Sequence, residues 1–274
     1  MHLMIVGNGG PGVKRSRTRR SRMQHLAQQY PWHMAAAAVL LSSPPGWLLF
    51  GLGARAGLLH HAVLAVLGAL TLTALGWWGE AGVSRPARWR NLHLATVPLL
   101  AVAVCFPRQV QVDGLQFLPY AFLALLIALQ REVWYRGILF RALVPVYGPR
   151  QTVVLTALLF AAPQAADLLA GAAPGVTLVK TLAAGLLGYV LGALRLRTRS
   201  IWPGALVAAL FHLAIFLERF QYAGEMLPDA SHRLGIQVLM GLLVYASARL
   251  WMRRANDEAP AEAPAAEAET VQAS

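Results

Sequence analysis

Residues 128–143 read ALQREVWYRGILFRAL. Four charged side chains, Arg131, Glu132, Arg136 and Arg141, interrupt a run that otherwise has the look of a membrane-embedded helix. An ionised group at membrane depth is costly unless paired or hydrated, so such a residue is a functional candidate by default. Glu132 and Arg136 stand four apart on one helical face, with the acid N-terminal, the better orientation for an i,i+4 pair. Two readings of the pair stay open on local sequence alone: an ion pair that locks the helix in place, or part of a reactive site. In either case the stretch reads as a charged insertion in a polytopic membrane protein, and the rest of the chain supports that fold class.

The 274 residues are 57 % hydrophobic and only 13 % charged, whereas a soluble domain is about a quarter charged. The net charge of +12 raises nucleic acid as a partner. It is excluded because the basic residues fall in short clusters between apolar segments rather than in one stripe. All of them but Lys14 and Lys180 are arginine, and Ala, Leu and Gly abound; this coding bias suggests a GC-rich bacterial genome and an inner-membrane location. The single cysteine, Cys105, excludes a disulfide framework or a Cys-based metal cluster and reads as apolar filler. KRSRTRRSR at 14–22 is followed by polar HLAQQY before the apolar stretch near Trp32, unlike a secretory signal. Residues 1–32 are expected to form a basic cytoplasmic tail.

Apolar runs predict eight spans near 33–53, 57–79, 92–106, 115–130, 151–170, 176–194, 200–220 and 233–252, the first interrupted by SSPPG at 42–46 and the fourth continuing through the charged motif. With the N-terminus cytoplasmic, the tail, the 80–92 loop, the 131–150 region, the 195–199 loop and the C-terminal flank hold nearly all the basic residues. Only Arg55, Arg108, Arg219 and Arg233 lie on the opposite side. That asymmetry is what the positive-inside rule requires and places both termini in the cytoplasm. The expectation is an all-α transmembrane bundle over 33–254, followed by an Ala/Glu/Pro-rich, disordered acidic tail at 255–274. A transporter would need a polar pathway or inverted repeats, and neither is visible.

Within the spans the other polar candidates are His60, His61, Asp167, Lys180 and His212. Adjacent histidines diverge by about 100° on a helix, so at most one of His60 and His61 is expected to face the interior. Lys180 is expected to snorkel or to pair with a neighbour. His212 also fits a histidine simply hydrogen-bonded within the bundle, and Asp167 also fits a helix end, because GAAPG follows it closely.

The wider pattern carries a resemblance. REVWYRG at 131–137 resembles the EExxxRG motif of the CPBP family, the CAAX prenyl endopeptidases and related bacterial membrane proteases. LLFAAPQ at 158–164 lies where that family has FxxxH, and RTRSIWPGALVAALFHLAIF at 197–216 is similar to its segment leading into HxxxN. Gly185, Gly188 and Gly192 resemble its glycine-rich sixth helix. The resemblance covers roughly 115–220, with the motifs in order.

It implies an intramembrane endopeptidase that cleaves a membrane-associated protein or peptide with an activated water. The family's first glutamate, its base or metal-water activator, falls on Arg131, and the second, which pairs with the arginine, on Glu132 beside Arg136. The FxxxH histidine falls on Gln164, the last histidine on His212, and the asparagine on Phe216. Arginine cannot act as a base, glutamine cannot take a proton, and phenylalanine offers an oxyanion no donor. Arg131 is expected to sit beside Glu132, placing a second cation next to that carboxylate. Glu132 and His212 are the catalytic candidates that remain, with Arg136, Gln164 and Asp167 in support. The resemblance leaves the cofactor open between a divalent metal such as zinc and none, since few ligands are retained. The alternative is an inactive family member that binds transmembrane partners as a scaffold or regulator.

Overall fold

The computed structural model describes residues 23–42, 53–83, 89–105, 114–169, 171–221, 241–242 and 244–253. Residues 1–22 of the expected 1–32 tail, the expected tail at 255–274, residues 43–46 of SSPPG, and 233–240 and 243 of the last expected span lie outside these residues, whereas 23–29, expected as tail, are helical. Every regular element among them is helical. A short helical stretch at 23–29 precedes α1 (Pro31–Ser42) and α2 (Gly53–Leu75), and a 3-10 turn (Trp89–Ala95) leads into α3 (Thr96–Cys105). Then come α4 (Gly114–Glu132), a π-helical segment (Val133–Leu139), α5 (Phe140–Ala165), α6 (Pro174–Thr198) and α7 (Trp202–Gln221).

Three helical runs are long and apolar enough to cross a membrane: Gly57–Leu75, Phe117–Leu168 and Pro174–Thr198. Asn91–Val104 and Trp202–Leu217 are apolar but shorter. The middle run has 52 residues, about 78 Å if straight, against a hydrocarbon core of about 30 Å. It is broken at Gly148, whose φ of 73° and ψ of 166° are non-helical. Only glycine adopts that backbone at little cost, and Pro149 follows.

Small residues bring α5 and α6 together. A Cβ at Gly188 would lie 3.1 Å from Ala157 Cα, one at Gly192 3.1 Å from the Val153 side chain, and one at Gly185 3.7 Å from that of Ala161. The two helices therefore run antiparallel with glycines facing small or β-branched partners. This is how membrane helices associate when lipid competes equally for apolar side chains. α4 and α7 also run antiparallel, with Tyr120 near Phe216 at one end and Glu132 against Gly204 at the other.

The arginine-rich connections meet at one end of the bundle. Arg195 Nη2 donates to the Glu80 carbonyl at 2.6 Å, and Arg195 Nε to the Arg136 carbonyl at 3.3 Å. Arg141 pairs with Glu80, Ile201 N–H donates to the Gly82 carbonyl, and Asn91 Nδ2 donates to the Arg197 carbonyl at 2.8 Å. Away from these connections, Lys180 pairs with Asp167 at 3.4 Å. Lys180 thus takes the pairing option open to it.

Replacing Gly188 by valine forces the α5–α6 contact apart and is expected to cost about 1–3 kcal/mol. Gly57→Ala, whose new methyl meets nothing within 4 Å, is expected to be neutral or to stabilise by up to about 1 kcal/mol. Thermal unfolding of the detergent-purified variants checks both, and an unchanged Gly188→Val variant contradicts the packing.

Candidate functional site

Glu132 ends α4 and Arg136 lies in the π turn that follows. The turn is defined by the Phe140 N–H donating to the Tyr135 carbonyl. Such π insertions are rare and concentrate at functional sites. Every residue from Trp134 to Leu139 is buried. Trp134 Nε1 donates to the Leu64 carbonyl at 3.0 Å, and a Cβ on Gly137 would lie 3.3 Å from the Ala81 methyl. α2 and the turn after it thus hold the segment from one side.

The Glu132–Arg136 pair is wholly internal. Both residues are 0 % exposed, with Oε1 and Nη1 3.4 Å apart. Arg136 Nη2 donates to the Gly188 carbonyl at 2.8 Å, and the guanidinium lies over the Phe160 ring, 4.4 Å from its centroid. Phe160, the first residue of the FxxxQ stretch, therefore serves as the aromatic face for this cation. Glu132 is tightly housed on its other side: a Cβ on Gly204 would lie 2.8 Å from Oε2. Neither carboxylate oxygen accepts a hydrogen bond.

The second cation acting on Glu132 is Arg195, not Arg131 as the sequence suggests. Adjacent positions diverge by about 100° around a helix, which turns Arg131 away. Arg131 instead lies 5.3 Å from the Phe160 centroid, within electrostatic reach of His61 and His212. The Gln130 amide lies beside His61. The His60 and His61 rings meet edge to face at 5.1 Å, and each has a buried nitrogen. At most one facing inward was the expectation; both are partly buried, and His61 is the more enclosed of the two.

His212 Nδ1 lies 2.7 Å from the Ala208 carbonyl, so it donates, leaving Nε2 as the site that can accept a proton or a hydrogen bond. Glu132 meets α7 at Gly204, eight residues before His212 and about 12 Å of helix rise away. The two catalytic candidates are therefore not in direct contact. Gln164 lies partly buried one turn beyond Phe160, and its amide makes no hydrogen bond among the described residues. Asp167 is committed to Lys180. Phe216 packs with Tyr120 against Ala124, Leu213 and Leu217.

Sequence reasoning missed Arg195 and Gly204. Arg195 is masked as one of three arginines in a connection, and Gly204 gives no local signal beyond following a proline.

Residues 113–215 match the family model described as type II CAAX prenyl endopeptidase Rce1-like. That segment is similar to the CPBP family. It contains Arg131, Glu132, Arg136, Gln164 and His212, and Phe216 lies one residue beyond it. No curated protein and no solved structure matches the chain. The family allows a divalent metal, but among the described residues no group of three or more His, Cys, Asp or Glu is placed to hold one. Arginine occupies the position of an acidic ligand, and the donor set does not fit a metal site.

Removing one partner of the buried pair, as in Arg136→Met, is expected to destabilise by about 3–5 kcal/mol. The double variant Glu132→Leu/Arg136→Met is expected to recover most of that, as read by denaturant unfolding in detergent. Equal losses in single and double variants contradict the coupling. Gly204→Ala is expected to lower the thermal midpoint as well, because its methyl displaces the carboxylate; an unchanged midpoint contradicts the contact.

Proposed function

We propose that the chain is an intramembrane endopeptidase of the CPBP type, cleaving a membrane-associated protein or peptide by an activated water, with Glu132 as the base. The observation that carries this reading is the state of Glu132. It is fully buried within a protease-family segment, paired at 3.4 Å, and has two oxygens that accept no hydrogen bond. A carboxylate so disposed has lone pairs to receive a water proton while the water oxygen attacks a peptide carbonyl carbon. The same proton then passes to the leaving amine. Gly204, by having no side chain, lets α7 pack directly against Oε2. His212, fixed by its Ala208 contact, contributes a positioned Nε2 farther along α7, suited to hold substrate rather than to share a proton with Glu132. Gln164 and Asp167 have supporting roles at most: the amide has hydrogen-bonding capacity to spare, and the acid is already paired.

The bundle is read as eight spans with both termini cytoplasmic and the site near the cytoplasmic face of a bacterial inner membrane. The convergence of Glu80, Arg141, Arg195 and Arg197 at one end supports that orientation. The partners on this reading are bilayer lipid and a membrane-embedded protein or peptide.

A second reading, a non-catalytic family member that binds transmembrane partners as a scaffold or regulator, is favoured by one specific set of observations. At three family positions stand an arginine stacked on Phe160, a glutamine and a phenylalanine packed on Tyr120. Arginine and glutamine take no proton from a water, and phenylalanine offers an oxyanion no donor.

Membrane and secreted peptides from cells carrying the wild type, a deletion or Glu132→Gln separate the two. The expected result is a cleavage product present only with the wild type and reduced about 10²–10⁴-fold by Glu132→Gln. A product unaffected by Glu132→Gln removes Glu132 as base. Identical peptides in wild type and deletion, with a phenotype that Glu132→Gln rescues, leave the binding reading.

A further inference from the structure

The acid–arginine pair accounts for Glu132, Arg136 and Arg195 but not for the polar cluster on the adjoining face of α4. That cluster comprises Gln130 and Arg131 from α4 and His60 and His61 from α2. Its electrostatics are unbalanced. Arg131 lies inside an apolar membrane-spanning run, and among the described residues no carboxylate is within ion-pair distance of it. The nearest acid in sequence, Glu132, is taken by Arg136. Arg131 has the Phe160 ring on one side, and a ring face offsets only part of a guanidinium's lost hydration. A cation in such a place calls for an anion.

The hydrogen-bond census points the same way. Gln130 is 1 % exposed, and its amide lies beside the His61 ring without a well-aligned hydrogen bond to it or to any other described group. His61 Nδ1 and His60 Nε2 are buried in the same condition. Buried polar groups are bonded in the great majority of cases, and several orphans side by side need a reason. Here they lie beside Arg131, whose side chain is only partly buried.

We infer that Arg131, Gln130 and His61 form a carboxylate-binding site. The guanidinium fork matches a carboxylate in bidentate fashion. The Gln130 NH2 and a His61 N–H supply further donors to the remaining lone pairs. A single uncompensated cation balances a monoanion, whereas a phosphate dianion would leave net negative charge among apolar walls. The substitution that removes the family's first glutamate thus converts a base position into an anion receptor. The carboxylate has two sources in a membrane: the free C-terminus of an embedded peptide, or a fatty acid. The site does not depend on Glu132 acting as a base, so it stands whether or not the chain is a protease.

The test uses the full chain purified in detergent and its thermal midpoint as the readout. Four probes are titrated: an apolar nonapeptide with a free C-terminus, the same peptide as its C-terminal amide, hexadecanoate, and hexadecanol. At least one acid is expected to stabilise the protein at a concentration tenfold or more below its neutral counterpart. A response in the peptide pair alone identifies a peptide terminus, and one in the fatty pair alone a lipid. Arg131→Gln is expected to abolish the preference for the acid, whereas Glu132→Gln keeps it. Gln130→Met removes an unbonded buried amide, so its ligand-free midpoint is expected to equal or exceed the wild type while its acid preference weakens. This second variant decides the matter if Arg131→Gln does not fold. No acid preference in either pair overturns the site, as does a preference that survives both Arg131→Gln and Gln130→Met.

Discussion

The contact between the Arg136 guanidinium and the Gly188 carbonyl, with Glu132 closing the other side, ties α4, α5 and α6 together around one buried charge. An arginine buried away from water needs its donors met, its charge balanced and its flat faces covered. One carbonyl takes Nη2, one carboxylate balances the charge and the Phe160 ring covers a face, while Nε and Nη1 make no hydrogen bond; the three partners come from α6, α4 and α5 respectively. None of those partners can approach unless its helix comes close, and this is where the glycines act. Gly188 lets the α6 backbone touch α5 while offering its carbonyl to Arg136, and Gly204 lets α7 lie against the carboxylate. The glycine pattern of α6 and the charge pattern of α4 are therefore two halves of one packing solution.

Much of this was legible in the sequence. The i,i+4 spacing of Glu132 and Arg136 announces the pair, because helical periodicity is nearly enough to set that contact. The all-helical class followed from apolar run lengths, whereas the glycines at 185, 188 and 192 stood out only through the family resemblance, and their close contact with α5 is a finding of the structure. The π turn did not show itself, since widening a helix by one residue per turn depends on how neighbours grip it, here Leu64, Ala81 and Arg195. Long-range partners were equally hidden. Glu80 and Arg195 are 115 residues apart in the chain, and nothing local in either segment foretells their meeting.

The site was legible only in part, for a geometric reason. Motif spacing orders residues along each helix but does not say at which height two helices cross. Glu132 and His212 both fit the family pattern, yet α4 and α7 cross so that Glu132 faces Gly204, two turns before the histidine. Arg131 and Glu132 are sequence neighbours whose side chains serve different surroundings. One belongs to a balanced ion pair, the other to a cluster of imidazole and amide groups with charge to spare.

The clamp made by Arg195 has a consequence for how the protein is built. Helices enter a membrane in chain order, and the run carrying Glu132 and Arg136 must be inserted before the helix that supplies Gly188 and Arg195 exists. Until then the acid and the arginine have only each other, and the peptide carbonyl of Arg136 lacks its donor from Arg195. The charged segment must therefore wait in a wetter or chaperoned setting, and the functional half of the bundle closes as one late event. Synthesis that stops short of residue 195 leaves the motif without its lock, a stage at which quality-control proteases can distinguish an unfinished chain from a finished one.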